Sequence, residues 1–370
     1  MAVSISGGLR IVKDLGRQLV IPGLAIATAL FISIPVIGFA TNWDWIKIAA
    51  TYGGLLDGAF LKGFAFANTL VATTPLIFTG LALGLGFKSG VFNIGAAGQF
   101  LLGATCAAWV GYAIPLPPVI HPLACILAGA VGGGLWGAIP GYLKAKFGSH
   151  EVINTIMFNY LAVFLQDWLV KNPLKDPAPG VFRTPNILDT AFLPRFLDRL
   201  HLGFILALLT AAGVWWLLEK TTIGFELRTV GMNPDAAKYA GMQPRKMIVL
   251  SMMLSGALAG IGGAVQILGV DHNMPATYSP DVGFDGIPVA LLGQNSPIGI
   301  ILASLLFGAL RNGSDLMQVR SGGVVSKEVI FIVQGVILLC VAAPALIRWL
   351  YRLKLQKTAL EGSRLTRGWG

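Results

Sequence analysis

Long apolar runs, separated by short polar segments rich in glycine and proline, fill most of the chain. A membrane span needs about 20 apolar residues. Runs of that order occupy residues 19–40, 68–87, 100–116, 123–143, 152–170, 202–218, 247–269, 298–310 and 329–347. The two ends test this list. Arg10, Lys13 and Arg17 stand against Asp14 before the first run, and Arg348, Arg352, Lys354, Lys357, Arg364 and Arg367 against Glu361 after the last. Basic flanks stay in the cytoplasm, so both ends read as cytoplasmic and the number of crossings must be even. The missing crossing is residues 284–293, within GFDGIPVALLG from Gly283. Ten helical residues rise only about 15 Å, half the hydrocarbon thickness. Such a segment is a half-helix or part of a broken one, shielded from lipid by protein, and residues 295–297 turn the chain into the next run. The expected fold is all-α: a polytopic transmembrane helical bundle of about ten crossings, including broken or half helices, with both termini cytoplasmic.

Composition agrees with this picture. The 370 residues are 55% hydrophobic and 12% charged, where soluble domains carry about 25% charge, and mean hydropathy is +0.73. The 47 glycines and 20 prolines lie largely inside apolar runs, where membrane helices use them for close packing and kinks. The net charge of +10 clusters at the ends of apolar runs, which favours an orientation signal over a nucleic-acid footprint. The first run contains Pro22 and Pro35 and lacks a following cleavage motif, so it reads as a retained span rather than a signal peptide. Cys106, Cys125 and Cys340 lie in apolar segments and read as small packing residues. His121, His150, His201 and His272 are scattered without metal-ligand spacing. No Ser/His/Asp or Cys/His set is discernible, which argues against an intramembrane enzyme.

Two polar segments interrupt the runs. Residues 171–200, with five prolines and nearly balanced charge, fall on the extracytoplasmic face. Residues 219–246 fall on the cytoplasmic face and contain a fully specified short helix. Asn233 can cap it, Pro234 suits its first position, Asp235 complements its dipole, Ala236 and Ala237 favour helix, and Gly241 stops it before Pro244. A helix of about two turns is unstable alone in water, so it requires a partner surface; an ordinary surface turn is the alternative on local grammar.

The run GFELRTVGMNPDAAKYAGM, from Gly224 to Met242, resembles the cytoplasmic coupling segment of bacterial ABC-transporter permeases for monosaccharides, branched-chain amino acids and nucleosides. FKSGVFNIGAAGQFLLG, from Phe87 to Gly103, is similar to the NIGAEGQ-type motif of that superfamily. EVINTIMFNYLA, from Glu151 to Ala162, resembles the NEVISTIMLNYIA run of its nucleoside and simple-sugar branch, and residues 283–293 resemble that branch's GYDGIAVALLG. The four motifs occur in matching order. Ala97 replaces the usual Glu, and His150 stands where Asn often precedes Glu151.

The resemblance implies that the whole chain, 1–370, is one permease domain with cytoplasmic tails 1–18 and 348–370. It implies a bacterial inner-membrane location, an ABC ATPase subunit, an extracytoplasmic solute-binding protein, and a second permease subunit, identical or not. ATP would be used by the partner, since this chain lacks G-x-x-x-x-G-K-[ST], and the chain would need no cofactor of its own. Lipid is a further partner; nucleic acid is not. The short helix would dock on the ATPase, with Glu226, Arg228, Gly231, Asn233, Pro234, Asp235, Ala236, Ala237, Lys238 and Gly241 as coupling residues. Arg228 and Lys238 either contact the ATPase or simply obey the positive-inside rule.

For the substrate pathway the candidates are Phe92, Asn93, Gln99, Glu151, Asn154, Phe158, Asn159 and Asp285. Gly90, Gly95 and Gly98 permit unwound backbone, which at membrane depth must line a cavity or be held by protein. A pathway-lining role for Asn93 and Gln99 is favoured over a helix-packing motif. Glu151, Asn154 and Phe158 share a helix face; carboxylate and amides suit ribose hydroxyls or base edges, and Phe158 or Phe92 a stacked base. Glu151 faces the pathway or caps its helix, and Asp285 carries the same ambiguity. The third motif favours nucleosides or nucleobases over simple sugars such as pentoses. An ion-coupled transporter would need more intramembrane carboxylates and histidines than the chain holds.

Overall fold

The computed structural model describes residues 23–342, apart from 25, 179 and 280. Both charged tails lie outside the described residues, as do the outer ends of the first and last expected spans. The chain divides into two compact units. One comprises Ile37–Ile330; the other comprises Met1–Val36 and Phe331–Gly370, whose described residues belong to helices α1 (Ile26–Ala40) and α13 (Val329–Ala342).

The larger unit is built from α2 (Trp45–Leu56), α3 (Ala65–Lys88), α4 (Ala96–Ala113), α5 (Ile120–Phe147), α6 (Glu151–Lys171), α7 (Gly203–Lys220), α8 (Thr222–Met232), α9 (Pro234–Tyr239), α10 (Pro244–Gln266), α11 (Asp281–Leu292) and α12 (Pro297–Arg320). Among the described residues the only sheet is a small hairpin of β1 (Arg195–Leu197) and β2 (Leu200–His201), joined antiparallel with Arg195 opposite His201. The fold is therefore an all-α polytopic bundle. Five of its helices, α3, α5, α7, α10 with its continuation to Asp271, and α12, are long and apolar enough to cross a membrane.

Helix α3 forms the centre, with most side chains from Thr73 to Gly86 buried. Its polar side chains do not need solvent: Thr73 and Thr74 donate to carbonyls one turn back, at 2.7 and 2.8 Å. Beside it, α4, α5 and α10 meet through glycines. A Cβ on Gly103, Gly133 or Gly260 would run into the backbone of Gly260, Gly256 or Gly129, respectively. Lipid offers no hydrophobic drive to bring helices together, so close backbone approach through small residues supplies dispersion contacts instead. Outward faces are apolar. On α5, Leu123, Leu127, Val131, Leu135, Ile139 and Tyr142 form one exposed stripe, which water would not tolerate but acyl chains solvate.

Helix α2 and the π-turn Asp57–Leu61 that follows it are absent from the expected spans. Asp44 caps α2, accepting from the Ile46 and Lys47 amides at 3.0 and 3.3 Å, and only Ile48, Thr51, Gly54 and Leu55 are buried. A 12-residue amphipathic helix escapes a search for 20-residue apolar runs. It packs on α12, where the Asn312 amide donates to the Gly58 and Ala65 carbonyls at 2.8 and 3.0 Å and Arg320 pairs with Asp57. Helix α12 itself continues ten residues past the expected end at 310, carrying Arg311 and Asp315 in the helix; counting charge as a stop signal cut it short.

The expected half-helix is present as α11, 12 residues or about 18 Å long. Its end is turned by Gln294 and Asn295 in the left-handed region, where Asn is at home. The proline-rich segment 171–200 is not a loose loop. Its backbone pairs with the segment after α10: Thr184, Ile187 and Leu193 amides donate to Met274, His272 and Leu268 carbonyls at 2.9, 2.9 and 3.1 Å.

Candidate functional site

The glycine-rich motif leaves residues 89–95 unwound between α3 and α4, and three amide side chains hold it. Asn93 and Gln99 exchange two hydrogen bonds, at 2.8 and 3.0 Å. Asn93 also donates to Ser255 Oγ at 2.8 Å, and Ser255 donates to the Ala82 carbonyl at 2.6 Å. Across the motif, Asn159 accepts from the Gly98 amide at 2.8 Å and donates to the Ile94 carbonyl at 3.0 Å. All four side chains are buried. An unpaired amide in this interior would cost roughly 1–3 kcal/mol, and here each finds partners. Asn93, Gln99 and Asn159 thus tie α3, α4, α6 and α10 together, and the motif's glycines allow close packing, with Gly98 against Asn159 and Ala162 and Gly103 against Gly260.

The shared face expected on α6 is divided among separate partners. Glu151 forms an ion pair with Lys144 at 2.7 Å and so closes the turn from α5 to α6. Asn154 donates to Ser149 Oγ at 2.6 Å. Phe158 meets Trp136 edge-on, with ring centroids 5.3 Å apart, while the Trp136 indole donates to the Phe158 carbonyl. These contacts fix the α5–α6 corner, with each of the three side chains engaged by a different partner. Phe92 stands apart from them, half exposed and packed on Phe87 at 4.6 Å.

Asp285 has a different setting. It lies on α11, mostly buried, with Arg311 of α12 at 3.6 Å and half exposed. The Tyr278 hydroxyl donates to Asp271 at 3.3 Å, and the Gln266 amide reaches both Asp271 oxygens at 3.2 and 3.3 Å. Phe284, beside Asp285, is exposed. Asp285 with Arg311, and Asp271 with Tyr278 and Gln266, thus form a polar strip of carboxylates, a guanidinium, a phenol and an amide. Of these, only Asp285 stands out in the sequence. Arg311 lies beyond a run ended by charge, and Asp271 and Tyr278 fall in what reads as a connecting segment.

Helices α8 and α9 form a bracket at one end of the bundle. Asn233 caps α9 as its sequence requires, accepting from the Asp235 and Ala236 amides at 3.0 Å, and Gly241 follows with φ of +84°. Several expected coupling residues turn inward. Arg228 binds Glu219 at 2.8 Å, and Glu219 also takes Lys88 at 3.5 Å. Gly231 lies on the backbone of Gly90, where a Cβ would come within 2.6 Å of the Lys88 carbonyl. Ala237 is fully buried. These three hold the bracket to the bundle, while Glu226 and Pro234 are half-buried. The outward face consists of Asp235, Ala236 and Lys238 together with Met232 and Tyr239, exposed by 78% and 96%.

A family model described as the branched-chain amino acid transport system / permease component matches residues 65–342. The chain belongs to this family of ABC-transporter permeases. It is 45% identical over 309 residues to the guanosine ABC transporter permease protein NupP of Bacillus subtilis, covering 82% of this chain and 88% of the relative. It is 33% identical over 365 residues to the nucleoside ABC transporter permease protein NupB of Lactococcus lactis, covering 95% and 97%. The glucose ABC transporter permease protein TsgB13 of Haloferax volcanii is 34% identical over 301 residues, covering 78% of each. No solved structure matches.

As an ABC permease the chain is an integral membrane subunit that is not itself catalytic, in a class that works with ATPase and solute-binding partners. The contact of Gly231 with Gly90 gives this permease a direct backbone link. The bracket bearing Tyr239 touches the same unwound segment that the buried amides secure.

Proposed function

We propose that this permease is the pore-forming subunit of an importer that moves nucleosides or nucleobases across the bacterial inner membrane, driven by a separate ATPase. The observation that carries the reading is its end-to-end similarity to a nucleoside permease, joined by its higher identity to a guanosine permease. In this reading the α8–α9 bracket faces the cytoplasm and seats Tyr239 and Met232 on the ATPase. A second permease subunit completes the pore, and a solute-binding protein delivers cargo to the opposite face, where residues 171–200 lie. The polar strip at Asp285 and Arg311 lines the passage: carboxylate and guanidinium suit ribose hydroxyls and base edges, and Phe284 offers a face for stacking.

The glucose-permease relative supports a second reading, simple-sugar cargo. The two separate in vesicles containing the permease with its ATPase and second subunit, supplied with the binding protein and labelled guanosine. ATP-dependent uptake competed by nucleosides and nucleobases but not by glucose or ribose is expected. Competition only by sugars would replace the reading, and uptake without the ATPase would refute the whole scheme.

A further inference from the structure

A groove of about 550 Å³ opens between the end of α5 and the start of α10. Its floor is apolar, made by Val249, Leu250 and Met253, and its rim carries Lys146, Arg245 and Lys246. We propose that it binds the headgroup and upper acyl chains of an anionic phospholipid.

Charge is the first argument. Several neighbouring cations at this end have carboxylate partners within the chain: Lys144 pairs with Glu151, and Lys88 and Arg228 share Glu219. Among the described residues none of the ion pairs includes Lys146, Arg245 or Lys246. Lys146 is nevertheless held in place. Its ammonium donates to the Tyr142 hydroxyl at 2.8 Å and stands over the Tyr142 and Phe147 rings at 5.3 and 5.4 Å from their centroids. Three exposed cations converge on one groove without a counter-charge among the described residues.

Depth is the second argument. The exposed stripe on α5 runs from Leu123 to Tyr142, about 28 Å at helical rise, which is close to the hydrocarbon thickness. Tyr142 therefore sits where acyl chains give way to headgroups, the level that tyrosine favours, and Lys146 lies one turn beyond it. A lipid at this position lays its tails along Ile139 and Leu135 and across the apolar floor while its phosphate meets the three cations. Basic pockets between helices on the cytoplasmic side suit anionic headgroups. A soluble phosphate would use the rim and leave the floor unused. A zwitterionic lipid brings its own cation beside the phosphate, against the rim's charge.

The test is native mass spectrometry of the full-length permease in mild detergent, titrated with dioleoylphosphatidylglycerol or dioleoylphosphatidylcholine. Each basic side chain near an anionic headgroup contributes roughly fivefold in affinity. Lys146→Gln/Arg245→Gln/Lys246→Gln together should therefore reduce retained phosphatidylglycerol at least about tenfold. Lys62→Gln/Lys175→Gln/Lys220→Gln, which removes three exposed cations elsewhere, should retain it as the unaltered chain does. Phosphatidylcholine should bind weakly to all three proteins, and millimolar inorganic phosphate should not displace phosphatidylglycerol. Equal retention by both triple variants, equal binding of the two lipids, or displacement by inorganic phosphate would each overturn the proposal. So would cysteine cross-linking at Lys146→Cys that captures a second copy of the chain in place of lipid.

Discussion

Two polar clusters lie within the bundle and differ in one respect. Around the unwound segment 89–95, the side chains of Asn93, Gln99, Asn159 and Ser255 are buried and bond to one another or to backbone. Around α11, Asp285 meets Arg311 in a looser 3.6 Å contact with the guanidinium half exposed. The first cluster is closed and the second is open. Closed clusters of this kind hold backbone that would otherwise be orphaned in an apolar medium. Open ones keep hydrogen-bonding capacity for something else. Buried polarity inside a membrane protein can therefore serve either purpose, and the two clusters differ in how much hydrogen-bonding capacity they leave free.

The strongest way to break this contrast is at Asn159. Replacing it with Leu leaves the Gly98 amide and Ile94 carbonyl unpaired, each at roughly 1–3 kcal/mol. Asn159→Leu should therefore largely abolish folded permease, measured as monodisperse protein extracted from membranes. Normal yield would show that the cluster is not structural.

Next comes the open pair. Asp285→Asn and Arg311→Gln should each leave membrane level near normal and reduce nucleoside uptake by about tenfold or more, in line with the cost of losing one charged contact. The exchange Asp285→Arg/Arg311→Asp should likewise keep membrane level near normal and fail to recover uptake. If either single variant transports normally, the strip is not the passage.

The bracket then tests whether the outward face of α9 does what its sequence suggests. An acidic residue at Ala237 would disrupt packing within the chain, because that side chain is fully buried, so Tyr239 is the cleaner probe. Tyr239→Ala should keep membrane level and lower ATP-driven uptake several-fold, with co-purification of the ATPase reduced in proportion. Unchanged co-purification would place the ATPase elsewhere.

The smallest expected effect is in the hairpin. Burial, then the positive charges of Arg195 and His272, lower His201 from 6.5 to about 4. The folded state therefore prefers neutral His201, and its contribution is fully present above about pH 6.5 and declines as pH falls toward 4. Protection of the 195–205 amides, measured relative to their intrinsic exchange rates, should fall between pH 7 and pH 5, and His201→Gln should flatten that dependence.

Much of the fold was legible because membrane spans announce themselves by length and hydrophobicity. The half-helix α11 was readable as a short apolar run between longer ones, and the Asn233 cap because its grammar is local. What the sequence hid is of two kinds. Helix α2 is short and amphipathic, so a span-length search passes over it. The destinations of side chains were also hidden: nothing local reveals that Gly231 rests on Gly90, that Asn93 faces Gln99 and Ser255, or that Arg311 reaches Asp285 across two helices. Partner choice across the bundle decides which motif side chains bond to one another, and that choice is not local.

The most direct test of the contrast is uptake of labelled guanosine per folded permease, measured side by side for Asp285→Asn and Asn159→Ser in the assembled, ATP-driven transporter. The closed-versus-open account predicts that Asp285→Asn is abundant but transports at least about tenfold less per molecule. It also predicts that Asn159→Ser is scarce but transports normally per surviving molecule. The opposite pattern, an active Asp285→Asn and an abundant but inactive Asn159→Ser, would contradict it.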